Sequence, residues 1–313
     1  MARLRRAAFV LSTIIAGASC AGAAQAAGHG GSATDLRVDG TLVHVILDAD
    51  DFRAGAPELL EWVRRSAVIV AGYYGAFPAS VLDIRISAVD GTGVRSGRAS
   101  ADPLPAIRLR VGREVSREEL LKDWVMVHEM THLALPEVGP THAWLAEGLA
   151  TYVEGVARVQ AGNMNAHDLW QEDVASMAKG LPQPDDAGLD HTHTWGRTYW
   201  GGAIFCLAAD VAIRERSENK RGLQDALRAI LRQSGGMTAS WPIERIFATG
   251  DAATGTTVLN ELYRSMRDAP TTPELPDLWG RLGLSVEDGV ARDGTDAGGA
   301  RIREAITRRP SPQ

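Results

Sequence analysis

A chain of 313 residues, 45% hydrophobic and 23% charged, has the composition of a folded globular protein, which excludes intrinsic disorder as the default. Its 39 acidic residues outnumber 33 basic ones, and its lysines, Lys122, Lys179 and Lys220, are scattered. No basic stripe of the kind that tracks phosphates stands out, so nucleic acid is not an expected partner.

The first residues read as an export signal. Arg3, Arg5 and Arg6 precede an apolar run over residues 7–18, and Ala24-Gln25-Ala26 supplies a small-x-small cleavage pattern. A signal peptide over residues 1–26 and a periplasmic or secreted product are expected. The apolar run is too short for a stable membrane span. Lipid attachment at Cys20 is the alternative, although Gly17 stands where such signals carry Leu. Without the three arginines the balance is 30 basic against 39 acidic residues, a net charge near −9. Cleavage after Ala26 leaves Cys206 as the last cysteine, with no internal disulfide, and it reads as a small buried residue in a helix.

Residues 27–40 begin with a Gly/Ser/Ala-rich stretch and read as a flexible leader. The β-branched run at 41–47 predicts a strand. Residues 56–74 carry Leu59, Leu60, Val63, Ala67 and Val70 at helical spacing. Strands are predicted at 81–89, where Leu82, Ile84 and Ile86 alternate, and at 106–111, with a Gly/Ser/Arg loop over 91–105 between them. From Ser116 the chain turns helical, and Glu119 three residues on completes a capping-box signature. Helices are expected at 116–135, stopped by Pro136, and then at 141–159, 167–178, 198–214, 223–231 and 243–266. The last is interrupted near Gly250, and a loop covers 180–193. Residues 269–276 are proline-rich, and a short helix is expected at 302–307. Strands first and helices after make an α+β plan, with a catalytic domain over 41–268 and a C-terminal extension over 269–313.

The first helical stretch contains His128-Glu129-Met130-Thr131-His132. Histidines four apart share one helix face and can converge on one metal ion. Glu129 can polarise a water at that ion without ligating it. Catalytic zinc takes three protein ligands, and the next helix offers Glu147 as the third. Glu154 lies seven residues on, on the same face, placed to orient a ligand histidine through its other ring nitrogen. The expected metal is Zn²⁺, held by His128, His132 and Glu147.

The helix pair, with its Trp-Leu-x-Glu-Gly-x-Ala-x-Tyr-x-Glu run from Trp144 to Glu154, resembles the gluzincin (clan MA) metallopeptidases, nearest the aminopeptidase N and glycyl aminopeptidase families. The segment Arg197-Thr198-Tyr199-Trp200-Gly201-Gly202-Ala203 resembles their Tyr-x-Lys-Gly-Ala segment. The resemblance spans about residues 116–235. It implies a thermolysin-like, two-lobed peptidase domain: a small mixed sheet, then a helical lobe, with the zinc cleft between. It also implies that Glu129 is the general base and that Tyr199 stabilises the oxyanion. The Lys of the tyrosine segment is Gly201 here, the gap from His132 to Glu147 is shorter than in aminopeptidase N, and no Gly-x-Met-Glu-Asn segment is present. Peptidase chemistry is therefore better supported than aminopeptidase specificity.

A peptide or protein substrate is the expected partner, and the strand at 106–111 is the one expected to pair with it. Two other readings remain open from sequence: a non-catalytic zinc or peptide-binding protein, and a hydrolase of a non-peptide amide or epoxide. His191 and His193 precede Tyr199 and are read as loop histidines. His142 is read as local to its helix, Tyr152 as core, and Trp195 and Trp200 as packing. Arg197 stands between a substrate-carboxylate ligand and a surface ion pair.

Overall fold

A computed structural model describes residues 31–309. The signal-peptide assignment and Cys20 lie outside the described residues. Alternating apolar positions build a sheet whose inner face is fully buried: Val43, Val45 and Leu47 on β2 (Thr41–Leu47), Leu82, Ile84 and Ile86 on β3 (Val81–Val89), and Ile107, Leu109 and Val111 on β5 (Ala106–Gly112). β1 (Ser32–Val38) and β4 (Val94–Ser100) complete it in the order β1-β2-β3-β5-β4. β1 and β4 run antiparallel to their neighbours, and the central pairs are parallel.

Both edge strands correct the sequence reading. Residues 32–38 are strand rather than flexible leader, and the expected loop 91–105 holds β4. β1 is mostly exposed and β4 only half-buried, so neither carries the apolar alternation that marks a strand packed on a core. β5 is therefore interior, and the free edge on that side of the sheet belongs to β4.

α1 (Gly55–Tyr74) packs its buried face, including Leu59, Trp62, Val63 and Val70, into one continuous core shared with the helices that follow. The predicted helix at 116–135 is broken in two. The capping box at Ser116 and Glu119 forms as expected and starts α2 (Arg117–Lys122). Asp123 is then extended, and its carboxylate accepts hydrogen bonds from Trp62 Nε1 and the Met126 N–H, each at 3.1 Å. That break lets α3 (Val125–His132) start in a new direction, with the motif histidines facing the edge of the sheet.

α4 (Ala143–Gln160) and α6 (Gly202–Arg216) form the centre of the helical layer. Their backbones touch through two glycines. A Cβ on Gly148 would fall on the Gly202 backbone, 2.7 Å from the Ala203 nitrogen, and a Cβ on Gly202 would lie 2.7 Å from Gly148 Cα. Gly148→Ala should therefore force the helices apart and destabilise the fold by about 1–3 kcal/mol, as overpacking does. A thermal melt of the variant beside the parent checks it, and an unchanged Tm would mean that the contact yields freely.

The remaining helices follow the expected order: α5 (Ala166–Ser176), α7 (Leu223–Ser234), α8 (Ile243–Thr254) and α9 (Val258–Met266). The interruption in the predicted 243–266 helix falls at Gly255, which is left-handed at φ 68°, and Gly250 instead packs inside α8 against Leu259 and Ala226. The C-terminal region is structured throughout its described length. α10 (Leu275–Arg281), the hairpin of β6 (Leu284–Glu287) and β7 (Val290–Asp293), and α11 (Ala297–Thr307) pack onto the helical layer, with Leu278 and Ile306 fully buried. The α+β plan holds. No described helix is long and apolar enough to cross a membrane.

Candidate metal centre

α3 and α4 cross so that three side chains meet. His128 and His132, one turn apart, set their rings 4.9 Å apart at 84°. Glu147 Oε2 lies 3.3 Å from His128 Nε2 and 3.5 Å from His132 Nε2. An ion with bonds of about 2.0–2.1 Å in tetrahedral geometry separates its ligand atoms by about 3.3 Å. The carboxylate oxygen thus stands at about that spacing from each imidazole nitrogen, the three donors lie within 4.8 Å of one another, and two imidazoles with a carboxylate are a donor set zinc accepts. The electrostatics point the same way. Burial would lower the His132 pKa, but the Glu147 and Glu129 carboxylates overcome it and hold it at about 9. Burial would raise the Glu147 pKa, but the charge of His132 and hydrogen bonds to both imidazoles pull it far below the usual carboxylate range. A bound cation would neutralise this concentration of negative charge.

Glu129 comes from the same helix but faces the sheet. It is 7% exposed, and its Oε2 accepts the backbone N–H of Ala99 on β4 at 2.8 Å. The approach is close enough to require glycine nearby: a Cβ on Gly97 would lie 2.5 Å from Glu129 Cγ. A cleft of about 500 Å³ opens over this group. One wall is β4 and the residues after it, Gly97 to Asp102. The other is formed by α3, the turn at 135–140, the first half of α4, and Tyr199. The strand that meets the cleft is therefore β4, not the expected segment 106–111, because β5 is covered on both sides.

Tyr199 reaches the group from 52 positions beyond Glu147. It sits in a short π-turn (Arg197–Gly201) that leads into α6. Its ring stacks on His128 with centroids 6.2 Å apart and planes at 14°. On its other contact Trp195 stacks at 5.9 Å and 27°, with the indole 46% exposed. Arg197 corrects both expectations for it. Its side chain is 1% exposed, its Nε lies 2.7 Å from Asp186 Oδ2, and its Nη1 donates to the Gly180 carbonyl at 3.0 Å. It anchors the turn that carries Tyr199, and the sequence reading missed its partner Asp186 because that residue lies in an irregular loop.

Glu154 is not the partner of His128. The Nδ1 of His128 is buried with no hydrogen-bond partner, while Glu154 Oε2 receives Arg158 Nη1 at 3.3 Å within α4. His191 pairs with Asp268 at the surface and His193 is exposed; neither lines the cleft. His142 contacts Asp190, Tyr152 is buried with its hydroxyl donating to Asp210, and Trp200 and Cys206 are buried. Tyr152, Trp200 and Cys206 behave as expected, whereas His142 reaches beyond its own helix to a residue 48 positions away.

No protein-family model matches the chain, and no curated protein sequence matches it. Solved structures do. An aminopeptidase N family protein from Idiomarina loihiensis superposes with a TM-score of 0.62 at 11% identity, over 82% of this chain and 50% of its own. The fold is shared with zinc metallopeptidases. An M1 zinc metallopeptidase from Deinococcus radiodurans gives a TM-score of 0.51 at 16% identity, over 79% of this chain and 53% of its own. A variant of the Deinococcus enzyme, with a TM-score of 0.51 at 15% identity over 79% of this chain and 53% of its own, was solved with a Tyr-Ser-Ala substrate bound. The chain thus spans about half the length of these structures.

Proposed function

We propose that this protein is a zinc-dependent peptidase, a thermolysin-like two-lobed domain whose metal is held by His128, His132 and Glu147. The observation that carries the reading is the convergence of two imidazole nitrogens on one carboxylate oxygen, at 3.3 and 3.5 Å, beside a fourth side chain, Glu129, that lines the same cleft without joining them. The peptide chemistry of the structural neighbours, one of which holds a tripeptide, supports it. When bound, the zinc ion supplies Lewis acidity that polarises the scissile carbonyl and makes water a usable nucleophile near neutral pH.

The chain's own residues do the rest. Glu129 takes the proton of the attacking water and passes it to the leaving amine. The Ala99 N–H fixes one of its oxygens before the reaction. Tyr199 donates a hydrogen bond from its phenolic hydroxyl to the oxyanion as it forms. β4 offers a free strand edge along the cleft, to which an extended peptide can add. The test is metal analysis of purified protein together with hydrolysis of a mixed peptide library, with and without a strong chelator. About one zinc per chain and chelator-sensitive cleavage are expected. No zinc uptake after add-back, or zinc uptake with no cleavage, would overturn the reading.

A further inference from the structure

Arginines that look scattered in the sequence become neighbours through the strand register. Arg85 on β3 stands opposite Arg108 on β5, and Arg108 stands opposite Arg98 on β4. Arg110, two residues along β5, projects from the same face. All four are exposed, on the side of the sheet away from the core. Only Arg85 is answered, by Asp48 at 2.8 Å; among the described residues no ion pair involves Arg98, Arg108 or Arg110. Like charges placed directly across strands oppose pairing, so the fold gains nothing from this row. The chain as a whole is acidic, which makes the patch a local reversal of charge.

One end of the row is part of the candidate site. Arg98 lines the metal cleft, and the row runs from there across β4, β5 and β3. Strands lie about 4.8 Å apart and every second residue of a strand about 6.7 Å, so the unpaired Arg98, Arg108 and Arg110 form a group about 8 Å across, the length of about two to three residues of extended polypeptide. Guanidinium groups match carboxylates as paired forks. The patch is short, is bordered by Asp83 and Asp48, and has no aromatic residues between its arginines, which disfavours a nucleic-acid track.

We infer that the arginine row Arg98, Arg108 and Arg110 binds an acidic segment of a polypeptide substrate, holding it across the sheet while a neighbouring bond enters the metal cleft. This rests on the peptidase reading above. From Arg98 the arginines lead inward to β5, away from the edge of β4 along which an added peptide runs. The acidic segment therefore lies outside the residues that flank the scissile bond, and its carboxylates supply binding energy from a distance.

The experiment uses the zinc-loaded protein and two peptides with one cleavable core, extended at either end by a run of Glu or a run of Gln. At low salt, kcat/KM for the better Glu peptide should exceed its Gln counterpart by about tenfold, the sum of a few exposed ion pairs. The ratio should fall toward one near 0.5 M salt, where screening is short-ranged. It should also fall toward one in the Arg108→Gln/Arg110→Gln double variant, and Arg108→Lys/Arg110→Lys should recover part of it. A second readout needs no turnover: fluorescence anisotropy of a labelled Glu peptide on the metal-free protein. A ratio near one in the parent protein, with no anisotropy binding, overturns the inference. So does tighter binding of a short single-stranded oligonucleotide or of phosphatidylglycerol vesicles through the same arginines. Arginine-dependent anisotropy without hydrolysis of any peptide overturns the peptidase reading and leaves acidic-segment binding standing.

Discussion

Glu129→Gln should retain the metal and lose about 10²–10⁴ of turnover, the range that general acid–base groups supply. Glutamine preserves the shape of the site. Its carbonyl oxygen can still accept the Ala99 N–H that Glu129 Oε2 now receives at 2.8 Å, and the side chain stays in the space that Gly97 leaves open. What it lacks is a basic oxygen to take a proton from water. Glu147→Gln should behave differently. Its Oε2 is the atom 3.3 Å from His128 Nε2 and 3.5 Å from His132 Nε2, so a neutral amide there weakens one of three donors and removes the only negative charge among them. Metal content measured after dialysis should fall in Glu147→Gln and hold in Glu129→Gln, while kcat falls in both. Equal loss of metal from the two variants would show that the roles are not divided in this way.

The paired histidines of the candidate site were legible because helical spacing is a local property. His128 and His132 lie on one face of any helix, and the break at Asp123 does not disturb residues 125–132. What the sequence concealed was each feature set by distant partners. The extended kink at Asp123 depends on a hydrogen bond from Trp62, 61 positions away. The burial of Arg197 depends on Asp186 and the Gly180 carbonyl, both in loop. β4 was hidden because an edge strand facing a cleft needs small and polar residues, Gly97 and Ser96 among them, where a core strand needs alternation. The arginine row is invisible in linear order, since Arg98 and Arg108 are ten positions apart and meet only through an antiparallel register. Spacing alone also does not show that Arg158, one turn beyond Glu154 on the same helix, reaches the Glu154 carboxylate.

Tyr199→Phe is expected to lower kcat by about 10²–10³, roughly 3–4 kcal/mol of barrier, the usual effect of deleting one oxyanion donor. The structure separates the two jobs this side chain could do. Its ring is held by stacking, on His128 at 6.2 Å and on Trp195 at 5.9 Å, and phenylalanine keeps both contacts. The turn that presents the ring is fixed independently, by Arg197 against Gly180 and Asp186 and by Gly202 against α4, so the substitution leaves the backbone in place. Only the hydroxyl is lost, and it lies on a residue that lines the cleft beside the three donors. A hydrogen bond that strengthens as charge develops on the carbonyl oxygen lowers the barrier without tightening the ground-state complex. KM, metal content and Tm should therefore stay close to the parent values while kcat drops. A tyrosine whose work is packing would give the opposite pattern, a shifted Tm with near-normal turnover. That result would remove Tyr199 from the mechanism and leave the oxyanion donor unassigned.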